Sequence, residues 1–463
     1  MTEQNQRIPA AESSLLDQVE RYVDEKNDEA LRLILAELHP VDLAGLLEYL
    51  DEEDRHVLLG LVGDEFLGET VLHLPEQQRE DYLGDLGAAR IVEIVEELDP
   101  DDATDLISEL PADVAEDVLA RLGELDEEST EEIRGLLKYD EETAGGRMTT
   151  DYVAVPVDET VSGAIHRVRE EVTESGADIY VIYVVDDDGR LVAYLRLQDL
   201  VLHGGGVPIR SFMLSDLVAV AADEDQELVA QLMQRYDLIQ IPIVDEANRL
   251  LGVVTFDDIA EIIEEEASED ILYLAGVTDD QESPSTPPMI SIRRRLPWLI
   301  MNLGTAFIAA MVVSQFEETI GKITALAALM PIVAGMGGNA AVQSIAVMVR
   351  SMALGDLGSG GKIRAVIKEG TVGLMNGTAI GLLAGSVVWA MWGDIRLGML
   401  ISIAMFVNLI VAGLVGTILP IVLRRLKFDP ALSSGPLATT FTDVCGFLTF
   451  LGLATLTLSW LLE

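Results

Sequence analysis

One carboxylate, Asp443, stands alone in a long apolar stretch. No other charged residue occurs between Ala431 and Leu462, and hydroxyl side chains precede it at Thr439 and Thr442. A carboxylate within hydrocarbon costs about 2.5–3.5 kcal/mol or more, so it normally faces water or a partner. We interpret Asp443 as part of a pore or ion site; an acid held in place by hydrogen bonds is the alternative.

A single carboxylate per chain is a small ligand set for a hard divalent cation, which takes about six oxygen ligands. Two chains related by symmetry would bring two Asp443 side chains to one axis. Hydroxyl groups or backbone carbonyls would then supply further oxygens. This reasoning gives the hypothesis of a homodimer.

An acidic segment from Asp257 to Leu274 is the second region suited to cations. Its apolar residues at positions 259, 262, 263, 267, 271 and 274 share one helical face, and acids fill the other. Such a helix repels its neighbours unless cations bridge the carboxylates. We predict a connecting helix and linker over residues 257–290; a solvated connector is the alternative.

Five apolar runs follow Arg293, Arg294 and Arg295, and each exceeds the roughly 20 residues that cross a bilayer as a helix. They predict a membrane domain over residues 291–463, with spans at about 296–316, 323–349, 371–393, 397–423 and 436–462. In the second run, the glycine-rich sequence from Gly335 to Asn339 indicates close helix approach or a broken helix with exposed carbonyls. Ordinary packing of small residues is the alternative.

Basic residues in the short loops indicate the orientation. With the N-terminal part in the cytosol, ten Lys and Arg residues fall on the cytosolic side of the predicted spans and two, Lys322 and Arg396, on the other. The positive-inside rule then places the N-terminus in the cytoplasm and the C-terminus on the opposite side. The first residues show no basic-then-apolar signal pattern, which agrees with this orientation.

Net charge divides between the same two parts of the chain. Residues 291–463 contain 8 acids and 12 bases, or +4, and the remaining residues contain 72 acids and 18 bases, or −54. So acidic a surface indicates a cation partner and argues against nucleic acid and anionic lipid as ligands. With 6 Lys against 24 Arg, adaptation to high salt is an alternative source of part of the charge.

Residue sets for several other site classes are missing. The one cysteine, Cys445, excludes an internal disulfide and Cys-based zinc sites. Five histidines have no metal spacing, and His39, His56 and His73 are expected at the surface or in packing. No nucleophile–base set or metal triad appears, so we do not expect an enzyme.

An internal repeat with a shift of 59 residues organises the middle of the chain, where residues 181–199 match residues 241–258. Each copy predicts a helix, two strands joined by a turn, and a second helix opened by an Asp. The tandem resembles a CBS-domain pair, with domains at about 148–203 and 211–262 within residues 141–262. Gly252, Thr255 and Asp258 match that family's adenosine-nucleotide pattern and imply an ATP site; a helix cap is the alternative.

Residues 1–140 predict an acidic all-α domain. Short amphipathic helices are separated by prolines that an Asp follows closely, as at Pro40, Pro100 and Pro111. Proline followed by an acid suits a first helical turn. The recurrence indicates a small helical superhelix.

The order of these parts resembles the MgtE family of magnesium channels along essentially the whole chain. Three stretches carry the resemblance: Ala144 to Thr149, Pro331 to Asn339 with Gln343 and Ser344, and Asp429 to Asp443. The resemblance implies a multidomain membrane protein. Its parts are an all-α N-terminal superhelical domain, α/β tandem CBS domains, an acidic connecting helix and an α-helical membrane domain with five spans.

The resemblance also implies a homodimeric, Mg²⁺-selective channel in the inner cell membrane, with Asp443 and the Thr439 carbonyl at the selectivity site. Regulatory acids carried over by aligned position are Glu69, Asp101, Asp105, Asp237, Asp258, Glu261, Glu266, Glu269 and Asp270. Many relatives have a second Asn where this chain has Val342. In the implied mechanism, internal Mg²⁺ bridges the acids, brings the connecting "plug" helices together and closes the path.

Two other functions stay open. A secondary transporter would exchange Mg²⁺ or Co²⁺ for another ion and also uses glycine-rich, interrupted helices. A membrane-bound sensor of ions or nucleotide would transport nothing, whereas the unpaired Asp443 predicts flux.

Overall fold

The computed structural model describes residues 10–47, 49–174, 179–277, 286, 288–353, 357 and 360–462. The chain divides into two compact units, which we call the N-terminal unit (Met1–Ile262) and the membrane unit (Ile263–Glu463).

The first part of the N-terminal unit is a series of short helices, as the proline and acid pattern predicts. Side chains of Asn27, Asp51 and Asp126 cap three of them by accepting backbone N–H groups. Leucine and isoleucine side chains such as Leu67 and Ile91 form one continuous core. The helices are α1 (Ala10–Asp24), α2 (Asp28–Leu35), α3 (Pro40–Leu47), α4 (Glu52–Leu59), α5 (Asp64–Leu72), α6 (Glu76–Asp85), α7 (Ala88–Val95), α8 (Pro100–Ser108), α9 (Ala112–Leu125) and α10 (Glu127–Leu136).

Two similar α/β halves follow, and they confirm the predicted repeat. In each half, a three-stranded sheet has its first pair parallel and its second pair antiparallel. The first half contains β1 (Val153–Pro156), α11 (Val161–Glu174), β2 (Val181–Val185), β3 (Leu191–Arg196) and α12 (Leu197–Leu202). The second contains β4 (Val220–Ala221), α13 (Gln226–Tyr236), β5 (Gln240–Val244) and β6 (Leu250–Thr255), with a 3₁₀ turn at Ile209–Ser211 between the halves.

The predicted connecting helix is α14 (Phe256–Ala275). Its first residues belong to the N-terminal unit, where Ile259 and Ile262 are buried in the core of the second half. Its remaining residues belong to the membrane unit. Most of the predicted linker, residues 278–285 and 287, lies outside the described residues.

Among its described residues, the membrane unit contains five helices that are long and apolar enough to cross a bilayer, so the predicted fold class is confirmed. Several begin or end outside the predicted runs, because charged residues at the run ends continue the helix. These elements are α15 (Pro288–Ser314), α16 (Glu317–Lys322), α17 (Ala325–Ala353), α18 (Gly361–Trp392), α19 (Ile395–Arg425), α20 (Pro430–Leu456) and α21 (Leu458–Leu462).

Glycines bring the membrane helices into close contact. Gly373, Gly377, Gly381 and Gly385 recur every fourth residue on α18, so they share one face. Methyl groups added to Gly377 and Gly381 would lie 2.8 and 2.7 Å from backbone oxygens of α19. The glycine-rich part of α17 is also continuous helix, so close approach rather than a broken helix describes it.

Candidate cation path and acidic junction

Asp443 lies half-buried on α20 beside a cavity of about 290 Å³. Since one water occupies about 30 Å³ in the liquid, the cavity has room for several waters or a hydrated cation. Helices α14, α15, α17 and α20 line it together. The polar lining residues are Trp298, Asn302, Thr305, Thr439, Thr440 and Asp443.

Threonine side chains of α20 bond to the backbone of their own helix near Asp443. The hydroxyls of Thr439 and Thr440 donate to the carbonyl of Pro436 at 3.1 and 2.6 Å, and Thr442 donates to the Thr439 carbonyl at 2.9 Å. The Thr439 carbonyl, predicted as an ion ligand, is therefore already a hydrogen-bond acceptor. The carboxylate of Asp443 is the charged oxygen ligand that this wall offers to a cation, and the Thr439 and Thr440 hydroxyls lie beside it.

Val342 of α17 lines the same cavity and is 41% exposed. The departure from the family pattern thus falls on the wall of the candidate path. A valine presents methyl groups there and adds no oxygen ligand.

The end of α14 borders this cavity through Leu274, Ala275 and Gly276. Tyr273 and Leu274 pack against a small core formed by residues of α17, α19 and α20. Gly276 has a φ of +81°, and a methyl group there would overlap the indole of Trp298. The acidic connecting helix therefore ends on the wall of the cavity that contains Asp443.

Asp270 of α14 lies near Asp429, the residue that precedes α20. Burial, with the nearby charge of Asp429, raises the pKa of Asp270 to about 6. Glu266 and Glu269 are half-buried on the same helix. Repulsion between Asp270 and Asp429 is a local cost that a bound cation would remove.

In the N-terminal unit, the start of α8 and the start of α14 bring acids together from distant parts of the sequence. We call this set the acidic junction: Asp99, Asp101, Asp102, Asp105, Asp257, Asp258 and Glu261. Burial and the charges of Asp102 and Asp258 raise the pKa of Asp101 well above its ordinary value. One oxygen of Asp101, Oδ1, is buried and has no hydrogen-bond partner among the described residues.

Burial and neighbouring acids also raise the pKa values of Asp102 and Asp105. Burial, followed by repulsion from Asp99, Asp258 and Glu261, raises the pKa of Asp102 to about 7. The pKa of Asp105 also rises to about 7 through burial, although Arg147 opposes the rise. Carboxylates held in this way favour any cation or proton that neutralises them.

The predicted nucleotide residues have structural roles in this structure. Thr255 donates to Asp258 Oδ2 from its backbone N–H at 3.0 Å and from its hydroxyl at 2.7 Å. A methyl group at Gly252 would lie 2.6 Å from the backbone oxygen of Thr149, so glycine is needed for close approach. The helix-cap alternative accounts for Thr255 and Asp258.

Other predicted acids lie apart from these contacts. Glu69 is exposed on α5, and Asp237 is exposed at the end of α13, where its φ is +51°. Within the described part of the chain, no three His, Cys, Asp or Glu side chains already form a metal cage. Their roles as metal ligands remain predictions.

Sequence reasoning missed Glu369, a buried acid of the membrane unit. Its side chain is 9% exposed, accepts a hydrogen bond from Ser344 at 2.8 Å and lies 3.0 Å from Lys368 Nζ. It borders a second cavity of about 240 Å³, lined also by Gln343 and Asn376. Glu369 precedes the predicted third span, 371–393, by two residues and so lies outside it.

Asn408 of α19 was also missed. It is the one amide in the predicted span 397–423, and that isolation is a signal that would have identified it. Its side chain is buried between α17 and α20. Asp102 was missed as well, although it stands beside the predicted Asp101.

Comparison with known proteins assigns three parts of the chain. The MgtE family model, described as a divalent cation transporter, matches residues 330–453. The model of the MgtE intracellular N domain matches residues 38–142, and the CBS domain model matches residues 144–204 and 209–265.

Curated relatives cover nearly the whole chain. The magnesium transporter MgtE of Thermus thermophilus is 36% identical over 96% of this chain and 99% of the relative. The magnesium transporter MgtE of Bacillus subtilis is 31% identical over 92% and 93%. A crystal structure of the cytosolic domain of the Mg²⁺ channel MgtE in complex with ATP is 36% identical over 53% of this chain and 99% of that chain, with a TM-score of 0.49.

Proposed function

The chain belongs to the MgtE family of divalent cation transporters, and from that premise we propose that it is a Mg²⁺ channel closed by internal Mg²⁺. The observation that carries the proposal is the cavity shared by Asp443 and the end of α14. An ion site and an acidic regulatory helix meet there within one unit. A cation that changes the position of this helix changes access to Asp443.

Asp443 would attract Mg²⁺ that keeps part of its water shell. Magnesium loses its waters reluctantly and is often bound through one or two carboxylates. One carboxylate per chain, with hydroxyls and water beside it, binds weakly enough to release the ion. Two such chains would give the path two carboxylates, so we propose a homodimer.

Closure would come from the acids that repel one another in the absence of cations. In the acidic junction, and between Asp270 and Asp429, bound Mg²⁺ would offset repulsion that raises the pKa values of these groups. Mg²⁺ shifts the channel toward closure only by its higher affinity for the closed form. Several weak sites acting together would give a steep response.

We propose the inner cell membrane as the location, with the N-terminus in the cytoplasm and the C-terminus outside it. The distribution of basic residues around the spans supports this orientation. Internal Mg²⁺ then reaches the acidic junction directly.

Uptake of Mg²⁺ into liposomes tests the transport proposal. Asp443→Ala removes the carboxylate beside the cavity, and we expect uptake to fall at least tenfold. Asp394→Asn is the matched control, because Asp394 caps the start of α19 and Asn preserves that role. Undiminished uptake by Asp443→Ala would show that Asp443 is not part of the ion path.

The coupled-transporter alternative has one observation in its favour, the buried Glu369. An acid within a membrane helix is a common proton carrier in coupled transporters. Uptake that responds only to the Mg²⁺ gradient supports the channel. Uptake that requires a pH gradient and is abolished by Glu369→Gln supports the transporter.

ATP binding stays a prediction for Gly252, Thr255 and Asp258. Because Asp258 already accepts two hydrogen bonds from Thr255, a nucleotide would have to share these groups. Calorimetric titration of the full chain with ATP, beside Thr255→Val, tests the site directly.

A further inference from the structure

Asn408 places a buried carboxamide at the junction of three membrane helices. Its side chain is 1% exposed, and Nδ2 donates to the backbone oxygen of Val333 on α17 at 2.9 Å. Its other polar atom, Oδ1, is buried without a hydrogen-bond partner among the residues described. A buried polar atom without a hydrogen-bond partner destabilises the folded protein, so stability alone does not explain an amide here.

Two glycines make room for this carboxamide. A methyl group on Gly337 of α17 would overlap Asn408 Nδ2, and one on Gly446 of α20 would lie 2.9 Å from the same atom. Asn408 therefore fills the space between α17 and α20. A side chain at either glycine would have to displace it or push the helices apart.

The helix contact at Asn408 adjoins the wall of the Asp443 cavity. Gly446 follows Asp443 by three residues, so the two lie one turn apart on neighbouring parts of α20. On α17, Gly338 adjoins Gly337, and a methyl group there would lie 3.6 Å from Thr439 Cγ2. A change in helix spacing at Asn408 therefore reaches Thr439 and Asp443 through rigid helical turns.

We propose that Asn408 is a positioning residue that sets the separation of α17 and α20 beside Asp443, and that this separation selects among hydrated divalent cations. The inference rests on the proposed channel function and adds its selectivity determinant. Asn408 itself does not line the cavity. Mg²⁺ keeps its waters in a near-ideal octahedron whereas Ca²⁺ accepts a looser shell, so a small change in width alters their ratio.

A polar side chain does more at this position than an apolar one of similar size. The bond from Nδ2 to the Val333 carbonyl ties α19 to one turn of α17. A leucine would fill the space but would let the helices slide. The carboxamide therefore fixes both separation and register.

The test is a double-mutant cycle in the reconstituted full-length protein, with Mg²⁺ and Ca²⁺ uptake as probes. Gly337→Ala adds the methyl group that overlaps the carboxamide, and Asn408→Ala removes the carboxamide. We expect each single variant to lower the Mg²⁺ to Ca²⁺ uptake ratio at least threefold. The double variant should recover most of the ratio, because the smaller side chain admits the added methyl group.

Thr417→Val is the matched control. Thr417 is fully buried on the same helix, and its hydroxyl donates to the carbonyl of Gly413 in that helix at 2.8 Å. Its removal leaves the contacts with α17 and α20 at Asn408 intact, so the uptake ratio should stay unchanged.

A wild-type ratio in Asn408→Ala, or additive losses in the double variant, would overturn the proposal. If a single variant is inactive, the same cycle is measured through melting temperatures. Coupling between Gly337→Ala and Asn408→Ala supports the proposed helix contact, and additive changes refute it. Absence of Mg²⁺ uptake by the wild type would refute the channel function instead. The melting-temperature cycle would still test whether Asn408 sets the separation of the helices.

Discussion

The membrane unit and the N-terminal unit use acids in opposite ways. Asp443 is a lone carboxylate beside a cavity, with threonine hydroxyls as neighbours. The acids of the junction are crowded, and burial with mutual repulsion raises their pKa values. A lone carboxylate suits an ion in transit, whereas a crowded set is stabilised most by an ion that stays.

In the proposed channel, this difference would separate transport from regulation within one chain. A cation passing Asp443 must leave again, so weak binding is useful there. A regulatory cation has to change the free energy of one arrangement of helices, so prior repulsion is useful in the junction. Substitutions should therefore affect one region without the other.

The largest effect on inhibition by Mg²⁺ should come from neutralising acids of the acidic junction. The triple variant Asp101→Asn, Asp105→Asn, Asp258→Asn removes the charged oxygen ligands through which Mg²⁺ would bind more tightly to the closed form. We expect the internal Mg²⁺ concentration for half-inhibition to rise at least tenfold, with uptake at low Mg²⁺ preserved. Liposome uptake at graded internal Mg²⁺ measures it, and Asp113→Asn, an exposed acid on α9, is the control.

A smaller effect should follow from Gly276→Ala at the end of α14. Its φ of +81° and the overlap with Trp298 would displace the helix end from the cavity wall. We expect about a fivefold rise in uptake that persists at inhibitory Mg²⁺. Gly304→Ala has open space around the added methyl group and should behave as the wild type. Equal Mg²⁺ uptake by the two variants would show that the position of the α14 end does not affect closure.

Stability of the N-terminal unit should fall as pH rises when Mg²⁺ is removed. The folded-state pKa values of Asp102 and Asp105 are about 7, above the ordinary 3.8, so the folded state binds more protons. The unfolded state therefore releases these protons near pH 4 and the folded state near pH 7, so stability falls as pH rises from about 4 to 7 and levels off above pH 7. About 1 kcal/mol of that loss falls between pH 6.5 and 7.5. Thermal unfolding in a chelator measures the change.

The variant Asp102→Asn, Asp105→Asn should flatten that pH dependence. Mg²⁺ should also flatten it in the wild type, because the cation takes the place of the protons. A stability that rises with pH across this range would contradict the crowded arrangement.

The smallest effect should come from Val342→Asn. The change adds a carboxamide oxygen to the wall of the Asp443 cavity without altering the junction. We expect less than a threefold change in Mg²⁺ uptake and no change in half-inhibition. Val342→Leu adds bulk without an oxygen and is the control. A large change in the Mg²⁺ concentration for half-inhibition would show that the cavity wall also affects closure.

Sequence alone predicted the fold because its main signals are local. Hydropathy gave the five membrane helices, and the repeat gave the two α/β halves. The ends of the helices differed, because the helices α15 and α18 continue through charged residues. That extension is also why Glu369 lies within α18 although it is outside the predicted third span.

The site was predicted in part. Asp443 was identifiable because a lone acid in an apolar run is rare. The meeting of Asp101 with Asp258 joins residues far apart in sequence, and periodicity carries no information about such contacts. Asp102 depends on burial between helices, which only the packed structure defines, whereas Asn408 could have been singled out as the one amide in its predicted span.

The most direct test of the account is the current through inside-out membrane patches while Mg²⁺ is raised on the cytosolic side. The wild type should close, whereas the variant Glu266→Gln, Glu269→Gln, Asp270→Asn should stay open at the same Mg²⁺ and conduct through an intact Asp443 path. Closure of that variant at the wild-type Mg²⁺ concentration would contradict the claim that the acidic helix controls access to Asp443.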